Sequence, residues 1–544
     1  MATWAPRRSV YPRIFVRPLG VTELGFYWDS KFNGTADTLQ HAVVESIDPA
    51  DQVLFSVENI TRTWRSLKQQ FPLLGSFLEE PAGSRDPVSF VFAEDRLENC
   101  GPEEISFHSA SSLSEAQEFA DVVLNGVRLL SSNLLARVVI ISRTDQISHV
   151  HVLIHVAHCI TDGIANATLL RSFLDILSSS LTSTQWDIEE RLALALPLDV
   201  LLPDIALSRA RNRWHRAIGQ TLSSIRLSKI TGGHTLPRIF TRLTAYTPAR
   251  SGLITLSFSP EESTRIIQNC RANGLTFGNA FPVLAQVALT RVLCRRYIRG
   301  DIDIEEWEYR KKEPMVTGGP LSLRSFLDPE WYDRGGSTNV SLAIGFFSLR
   351  LPFMPLGAVA NIAPGDDLPN FQDLLSFPRF LLRSRSIRKQ SASLTKHPLF
   401  LYISMSRSQA SVDRLKDVAT NWKDMEGQIA APIPVTDQHP VLTHGGSSFG
   451  NVDNLLPRHY PLARECSPTP RLYLHTSGTK LHCRPAELYL GASTTRQQLH
   501  LNVFWDMNVY DEDTVKEWLH EVREATKVFL EGDAATIKKP QTRL

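Results

Sequence analysis

Ser-His-Val-His-Val-Leu-Ile-His-Val-Ala-His-Cys-Ile-Thr-Asp-Gly, residues 148–163, is the stretch that decides the fold. Apolar residues alternate over positions 150–156, which predicts a β-strand with one face in a core. The residues after Gly163 repeat apolar side chains at helical spacing, with Thr161 or Asp162 as the N-cap. A strand, a tight connection and a helix therefore follow one another here.

His158 lies between the end of the strand pattern and the start of the helix pattern. An imidazole held rigidly in such a connection can face a cleft and act as a general base near neutral pH. The spacing His158-x-x-x-Asp162 adds a carboxylate four residues later. That carboxylate either orients the imidazole or locks the loop through another partner.

The six residues His158-Cys159-Ile160-Thr161-Asp162-Gly163 resemble the His-x-x-x-Asp-Gly motif of the CoA-dependent acyltransferase superfamily. This superfamily includes chloramphenicol acetyltransferase, the plant BAHD enzymes and peptide-synthetase condensation domains. Ala157 stands where condensation domains usually carry the first of two adjacent histidines. Ser447-Ser448-Phe449-Gly450 replaces the Asp-Phe-Gly-Trp-Gly segment of BAHD enzymes and looks more like the Ser-x-Gly of fungal trichothecene 15-O-acetyltransferase-like enzymes.

The resemblance implies an α/β fold of two chloramphenicol-acetyltransferase-like domains, each a mixed β-sheet flanked by helices, with an active-site channel at their interface. Residues 1–240 are expected to form the N-terminal acyltransferase domain with the His-x-x-x-Asp-Gly motif, and residues 251–544 the C-terminal one. In the second half, a strand at 253–257, a capped helix from Pro260 and a long apolar helix after Thr276 follow the order of the superfamily.

The site that the resemblance implies has His158 as general base and Asp162 as a structural carboxylate paired with Arg324. Gly163 belongs to the same connection. Ser448 and Gly450 are the candidates for the oxyanion site or the channel wall, and are expected in a turn that faces His158.

The function implied is acyl-CoA-dependent O-acyl transfer, with acetyl-CoA as the expected donor. The expected acceptor is a hydroxyl of a hydrophobic secondary metabolite, such as a trichothecene-like sesquiterpenoid of mycotoxin biosynthesis. We expect a monomer with no permanently bound cofactor and acyl-CoA as co-substrate.

Three alternatives remain open. A carrier-protein-dependent condensation-type acyltransferase of polyketide or peptide biosynthesis needs a basic landing patch, for which residues 379–389 are the candidate. A serine hydrolase is suggested by Gly-Ser-Ser-Phe-Gly at 446–450, with Asp506 and His482 or His500 as partners. A non-catalytic relative that only binds ligand is the third.

Composition narrows the class of protein. Lys and Arg number 58 and Asp and Glu 57, so no overall field recruits nucleic acid or a membrane surface. The N-terminal residues lack the apolar core of a signal peptide, and six scattered cysteines are typical of reduced thiols. We therefore expect a cytoplasmic protein without a membrane span. The terminal Thr-Arg-Leu differs at its first position from a peroxisomal Ser-Lys-Leu address.

Three further expectations concern individual segments. His149, His151 and His155 share one strand face, but no recurrent zinc spacing occurs, so no metal site is expected. Residues 183–250 have an irregular pattern and include the domain crossover. Residues 301–313 are charge-rich and are expected to be a solvated excursion.

Overall fold

The computed structural model describes residues 3–8, 11–51, 53–80, 87–179, 186–203, 207–405, 409–435, 441–462 and 469–531. Within these ranges the chain forms two six-stranded mixed β-sheets, a small four-stranded sheet and flanking helices. The α/β architecture with two mixed sheets is therefore confirmed. The C-terminal residues 542–544, which carry the Thr-Arg-Leu sequence, lie outside the described residues.

The first large sheet contains the strand predicted at 150–156. Its order is β13 (His459–Tyr460), β14 (Leu472–Leu481), β3 (Thr38–Ser46), β8 (His149–Val156), β7 (Ala136–Arg143) and β6 (Ile105–Ala110). β8 is central and pairs antiparallel with β3 and β7, as the predicted hairpin requires. β6 and β7 are parallel. All residues of β8 except His149 are buried, which explains the β-branched apolar pattern.

The second large sheet has the order β11 (Ile344–Leu351), β10 (Met315–Ser322), β12 (His444–Asn451), β15 (Leu488–Thr495), β16 (Gln498–Asp506) and β9 (Ser251–Ser257). β12 pairs in parallel with β10 and β15, and the other pairings are antiparallel. The small sheet has the order β1 (Ala5–Arg7), β2 (Ile14–Pro18), β5 (Ser89–Ala93) and β4 (Phe77–Glu79).

The helices pack against these sheets. In the first half they are α1 (Val21–Lys31), α2 (Val57–Gln70), α3 (Asp95–Glu98), α4 (Leu113–Asn125), α5 (Gly163–Ser178), α6 (Ile188–Leu194) and α7 (Arg209–Ser228). In the second half they are α8 (Pro260–Ala272), α9 (Phe277–Arg299), α10 (Ile304–Arg310), α11 (Pro329–Asp333), α12 (Phe371–Leu374), α13 (Phe377–Thr395), α14 (Phe400–Ser404), α15 (Gln409–Met425) and α16 (Glu512–Thr526).

The helix α9 is the centre of the hydrophobic core of the second half of the chain. It is long and apolar enough to cross a membrane by length and composition, but 83% of its most apolar window is buried inside the protein. Its neighbours in that core include Trp307, Trp505 and Trp518. A second large core lies between α2, α5 and the first sheet, with Trp64 and Phe173 among its fully buried side chains.

Two segment predictions were wrong. Residues 183–250 contain α6 and the twenty-residue α7, rather than irregular chain throughout. The charge-rich stretch 301–313 contains α10, whose Trp307 and Arg310 are buried. The Arg310 guanidinium donates to the Thr235 carbonyl and to Glu306, so this stretch is anchored in the protein rather than solvated.

The strands β13 and β14 cross between the two halves of the sequence. They come after residue 251, yet β14 pairs along nearly its whole length with β3 in the first sheet. A boundary near residue 250 therefore separates most elements but not this strand pair, and the division into 1–240 and 251–544 stays a prediction.

Candidate active site

The connection that carries His158 leaves the first sheet directly after β8. Val156 is the last paired residue, and Ala157 donates its N–H to the Leu135 carbonyl. A single 3₁₀ turn, His158–Ile160, then leads to α5. The structure thus has the tight strand-to-helix connection that the sequence predicts.

His158 lies against a phenylalanine that the sequence does not single out. Its ring stacks on Phe26 of α1, with ring centroids 4.0 Å apart and an angle of 13° between the planes. Nδ1 is buried without a hydrogen-bond partner among the described residues. Nε2 is therefore the ring nitrogen that remains available to a substrate.

The environment of His158 keeps its imidazole neutral. The pKa of His158 is lowered to about 4, chiefly by burial and also by the charge of Arg484, although the backbone groups of His158 and Thr161 and the charge of Asp162 act in the opposite direction. The Arg484 guanidinium lies over the Phe26 ring, 5.4 Å from the ring centroid, and forms an ion pair with Asp29 at 2.7 Å. A neutral imidazole at pH 7 is the form that can accept a proton.

Asp162 fixes the connection through both of its oxygens. Oδ1 accepts from the Ala165 N–H at 2.9 Å and so caps α5. Oδ2 accepts from Arg324 Nη1 at 2.5 Å and from the Ala343 N–H at 2.8 Å. The structure therefore brings together the predicted pair, and Asp162 is the N-cap rather than Thr161.

Arg324 belongs to the second half of the chain and lies in a 3₁₀ turn directly after β10. Its Nη2 also donates to the carbonyls of Asn339 and Ser341. Both charged side chains are almost fully buried, at 4% and 1% exposure for Arg324 and Asp162. This buried ion pair locks the His158 connection to the other half of the sequence.

Gly163 allows β12 to approach the same connection. A Cβ at Gly163 would lie 2.8 Å from Cε2 of Phe449, closer than side chains normally come. Phe449 lies in β12 between the two candidates Ser448 and Gly450. The contact joins the His158 connection to the segment 447–450.

The segment 447–450 is a strand, and the expectation of a turn there was wrong. Ser447 and Ser448 pair in register with β15, and a bulge between Ser448 and Gly450 interrupts the pairing. Gly450 adopts a positive φ of 76°, which favours glycine. Ser447 is engaged with the Tyr489 hydroxyl at 2.7 Å.

A cavity of about 600 Å³ opens beside this strand, between β10, β11, β12 and the start of α9. Ser448 and Gly450 both line it, and the nearest atom to a Cβ at Gly278 is Cβ of Ser448. The rest of the wall is largely apolar, with Phe277, Phe281, Leu321 and Phe347, and includes Arg271. His158 is not one of the described lining residues. The candidates therefore form two neighbouring groups, one around the His158 connection with Asp162 and Arg324, the other at the cavity with Ser448 and Gly450.

The serine hydrolase interpretation conflicts with this geometry. A nucleophile elbow requires a helix directly after the serine, whereas Ser448 lies inside β12. His482 hydrogen-bonds the Ala249 carbonyl, and His500 bonds Ser257 and the Thr495 carbonyl. Asp506 accepts from backbone N–H groups. No catalytic triad forms around Ser448 within the described residues.

Some of the remaining sequence candidates are buried or hydrogen-bonded, and others are exposed. Cys159 is fully buried in the first core, and burial raises the pKa of its thiol well above the usual range. In the basic run 379–389, Arg383 donates to the Pro352 and Phe353 carbonyls and Arg388 to that of Gly274. Arg379, Arg385 and Lys389 are exposed.

The comparisons with known proteins concern the fold. No protein-family model and no curated protein sequence matches the chain. TRI3 trichothecene 15-O-acetyltransferase from Fusarium sporotrichioides matches in structure with a TM-score of 0.69, at 14% identity, over 97% of this chain and 98% of its own.

Two condensation domains have the same architecture. That of the Monacolin K polyketide synthase MokA has a TM-score of 0.56 at 9% identity, over 94% of this chain and 97% of its own. The starter condensation domain of rhizomide synthetase RzmA, solved with C8-CoA, has a TM-score of 0.56 at 11% identity, over 95% and 96%. The chain therefore shares the fold of these three proteins over nearly its whole length.

Proposed function

We propose, from the premise that this chain has the fold of trichothecene 15-O-acetyltransferase and of condensation domains, that it is an acyltransferase with His158 as its general base. The observation that carries the proposal is the neutral, half-buried imidazole of His158 on a connection fixed by the buried Asp162–Arg324 pair. A base that is both unprotonated and immobile is what proton abstraction from an acceptor requires.

In the proposed reaction, Nε2 of His158 removes the proton from an acceptor hydroxyl while that oxygen attacks the carbonyl carbon of a thioester. The tetrahedral intermediate then collapses and the carbon–sulfur bond breaks. The imidazolium returns the proton to the departing sulfur, so the products are an ester and a free thiol. No acyl-enzyme forms, and the base accounts for about 10²–10⁴ of the rate.

The other candidates have supporting roles in this proposal. Asp162, Gly163 and Arg324 hold the connection in place through their contacts with Ala165, Ala343 and Phe449. Ser448 lines the cavity, and no described residue hydrogen-bonds its hydroxyl, so it is free to donate to an oxyanion. Gly450, at the bulge, shapes the cavity wall next to it.

An acyl-CoA donor is supported by the cavity. Its apolar walls suit an acyl chain and a pantetheine arm, and its volume is in the range of small-molecule sites. Arg271 and the first turn of α9 lie on the same wall, where a cation and free backbone N–H groups favour anionic phosphates. No permanently bound cofactor is part of the mechanism.

The acceptor is proposed by analogy. The name of the Fusarium relative describes acetylation of a trichothecene hydroxyl, and the apolar cavity fits a hydrophobic alcohol of that kind. By this analogy, the proposed reaction of this chain is acetyl transfer to a hydroxyl of a sesquiterpenoid-like secondary metabolite. A cytoplasmic monomer is proposed from composition alone.

A carrier-protein donor is the second candidate, because condensation domains have the same fold. The exposed Arg379, Arg385 and Lys389 on α13 are the basic groups that such a carrier could contact. Replacing all three by glutamine would slow acyl transfer from a carrier-bound donor and leave acyl transfer from free acyl-CoA unaffected.

The experiment measures thiol release from acetyl-CoA and from acetyl-loaded carrier protein with a panel of hydrophobic alcohols. We expect alcohol-dependent release from acetyl-CoA together with a product that is heavier by one acetyl group. Thiol release that does not depend on the alcohol would show a thioesterase. A hydrophobic alcohol or CoA that binds without release would show a ligand-binding protein, and both outcomes contradict the proposal.

A further inference from the structure

The far end of β8 carries a histidine cluster that the proposed function does not use. Glu45 of β3 and His149 of β8 are directly opposite each other in the antiparallel register. His475 of β14 lies at a bulge between Leu474 and Thr476, on the other side of Glu45. Three adjacent strands therefore bring two imidazoles and one carboxylate together on one sheet face.

The ligand atoms of this cluster are close enough to share an ion. One ligand atom from each residue lies within 4.8 Å of the other two. Nε2 of His475 is 2.7 Å from Oε2 of Glu45, and the His149 and His475 rings are 4.8 Å apart. In a tetrahedral zinc site with bonds of about 2.0–2.2 Å, ligand atoms are about 3.3 Å apart. Small side-chain movements are enough to reach that arrangement.

A neighbouring hydroxyl supports the orientation of one imidazole. Ser148 Oγ lies 3.2 Å from Nδ1 of His149 and 3.4 Å from Oε1 of Glu45. Because Nδ1 of His149 is engaged, its Nε2 is the nitrogen left for a metal. A hydrogen bond to the second ring nitrogen is the usual support of a metal-binding histidine.

We propose that Glu45, His149 and His475 form a binding site for one Zn²⁺ ion. Two imidazoles and a carboxylate form a ligand set that zinc uses with one position open to water. The rings lie at 23° to each other, so binding requires rotation about their Cβ–Cγ bonds. The side chains of Glu45 and His475 are 35% and 34% exposed, which leaves room for that rotation and a path for the ion.

The site is remote from His158, because His149 begins the eight-residue strand that precedes His158 and such a strand spans about 23 Å. Its consequence is therefore structural. Zn²⁺ would join β14, which comes from the second half of the chain, to β3 and β8 of the first sheet. The sequence did not reveal the site because Glu45 and His475 are 430 positions apart.

The test measures Zn²⁺ bound per chain by equilibrium dialysis of the full-length, chelator-treated protein, with Mg²⁺ as competitor. We expect one Zn²⁺ per chain that Mg²⁺ does not displace, since Mg²⁺ prefers oxygen ligands. Glu45→Gln and His475→Asn should each weaken binding by at least about tenfold, because even outer-shell partners change affinity by that much. His108→Asn, which removes an exposed histidine from β6 of the same sheet, should bind as wild type.

A second readout separates lost binding from lost folding. Zn²⁺ should raise the thermal unfolding midpoint of wild type and of His108→Asn but not that of the two site variants. Without metal, the site variants should have the same unfolding midpoint as wild type. Absence of stoichiometric binding by wild type overturns the proposal. Equal binding by the site variants also overturns it, because the ion is then held by other residues. Neither readout depends on acyl transfer, so the two proposals can fail separately.

Discussion

The ion pair between Asp162 and Arg324 gives the most quantitative prediction. In Asp162→Asn the shape and the N-cap acceptor for the Ala165 N–H are retained. The negative charge that faces Arg324 Nη1 and the Ala343 N–H is lost. Because Arg324 is only 4% exposed, its guanidinium is left buried beside a neutral amide. Removal of one partner of a buried pair typically destabilises a protein by about 3–5 kcal/mol.

A double-mutant cycle isolates this interaction. Arg324→Met leaves the Asp162 carboxylate with two backbone N–H donors, so we expect it to destabilise less than Asp162→Asn. In the double variant neither charge is buried alone, and its loss should be smaller than the sum of the single losses by more than about 1 kcal/mol. Urea unfolding followed by tryptophan fluorescence provides the free energies.

The same variant should also slow acyl transfer. A shift of about 1 Å in the His158 connection can lower the rate by about 10²-fold, without any contact between Asp162 and the substrate. If Asp162→Asn destabilises by less than about 1 kcal/mol, or if the cycle is additive within about 0.5 kcal/mol, the pair does not fix the connection and the reasoning is refuted.

Two substitutions in the site and a change of pH provide the remaining tests. Ser448→Ala should lower kcat by about 10²-fold with a smaller effect on KM if the hydroxyl stabilises the oxyanion, and an unchanged kcat would exclude that role. Phe26→Leu should expose His158, so the acidic limb of kcat/KM should move up from near pH 4 towards 6.5; a limb that stays in place would show that burial against Phe26 does not set the pKa. The free energy of unfolding should have its full value above pH 6.5 and fall as the pH drops towards 4. In that range the histidines of the unfolded state bind protons, whereas the buried imidazoles of the folded state stay neutral. The loss is up to about 1.4 kcal/mol per pH unit for each histidine. An unfolding midpoint that is flat between pH 7 and 5 would contradict this. The histidines whose pKa burial lowers to about 3 or 4 are His41, His151, His155, His158, His234 and His444.

The local order of elements around His158 could be predicted because burial and capping are local signals. β8 is buried on both faces, and Asp162 caps α5 within a few residues. The partner of Asp162 came only from the family resemblance, since Arg324 is distant in sequence. Phe26 could not be predicted, because nothing in its local sequence marks it as the residue that stacks on His158.

Two elements escaped prediction for different reasons. α7 fully buries only Gly219 along its twenty residues, but Trp214, Ile218, Leu222 and Ile225 recur at helical spacing, so the helical pattern was present in the sequence and was overlooked. β12 contains glycines where strands usually have β-branched residues, because its neighbours approach too closely for side chains. A Cβ at Gly446 would lie 2.4 Å from the Leu490 carbonyl oxygen, and one at Gly319 2.1 Å from that of Gly446. Tertiary context therefore decides β12.

The most direct test of the central claim compares acceptor-dependent thiol release from acetyl-CoA by wild type and His158→Ala. The control is His459→Ala, which removes an exposed histidine from β13 of the same sheet. If His158 is the base, its variant should lose about 10²–10⁴ of the rate while the control retains wild-type activity. A His158→Ala protein that is folded and as fast as wild type would contradict the account.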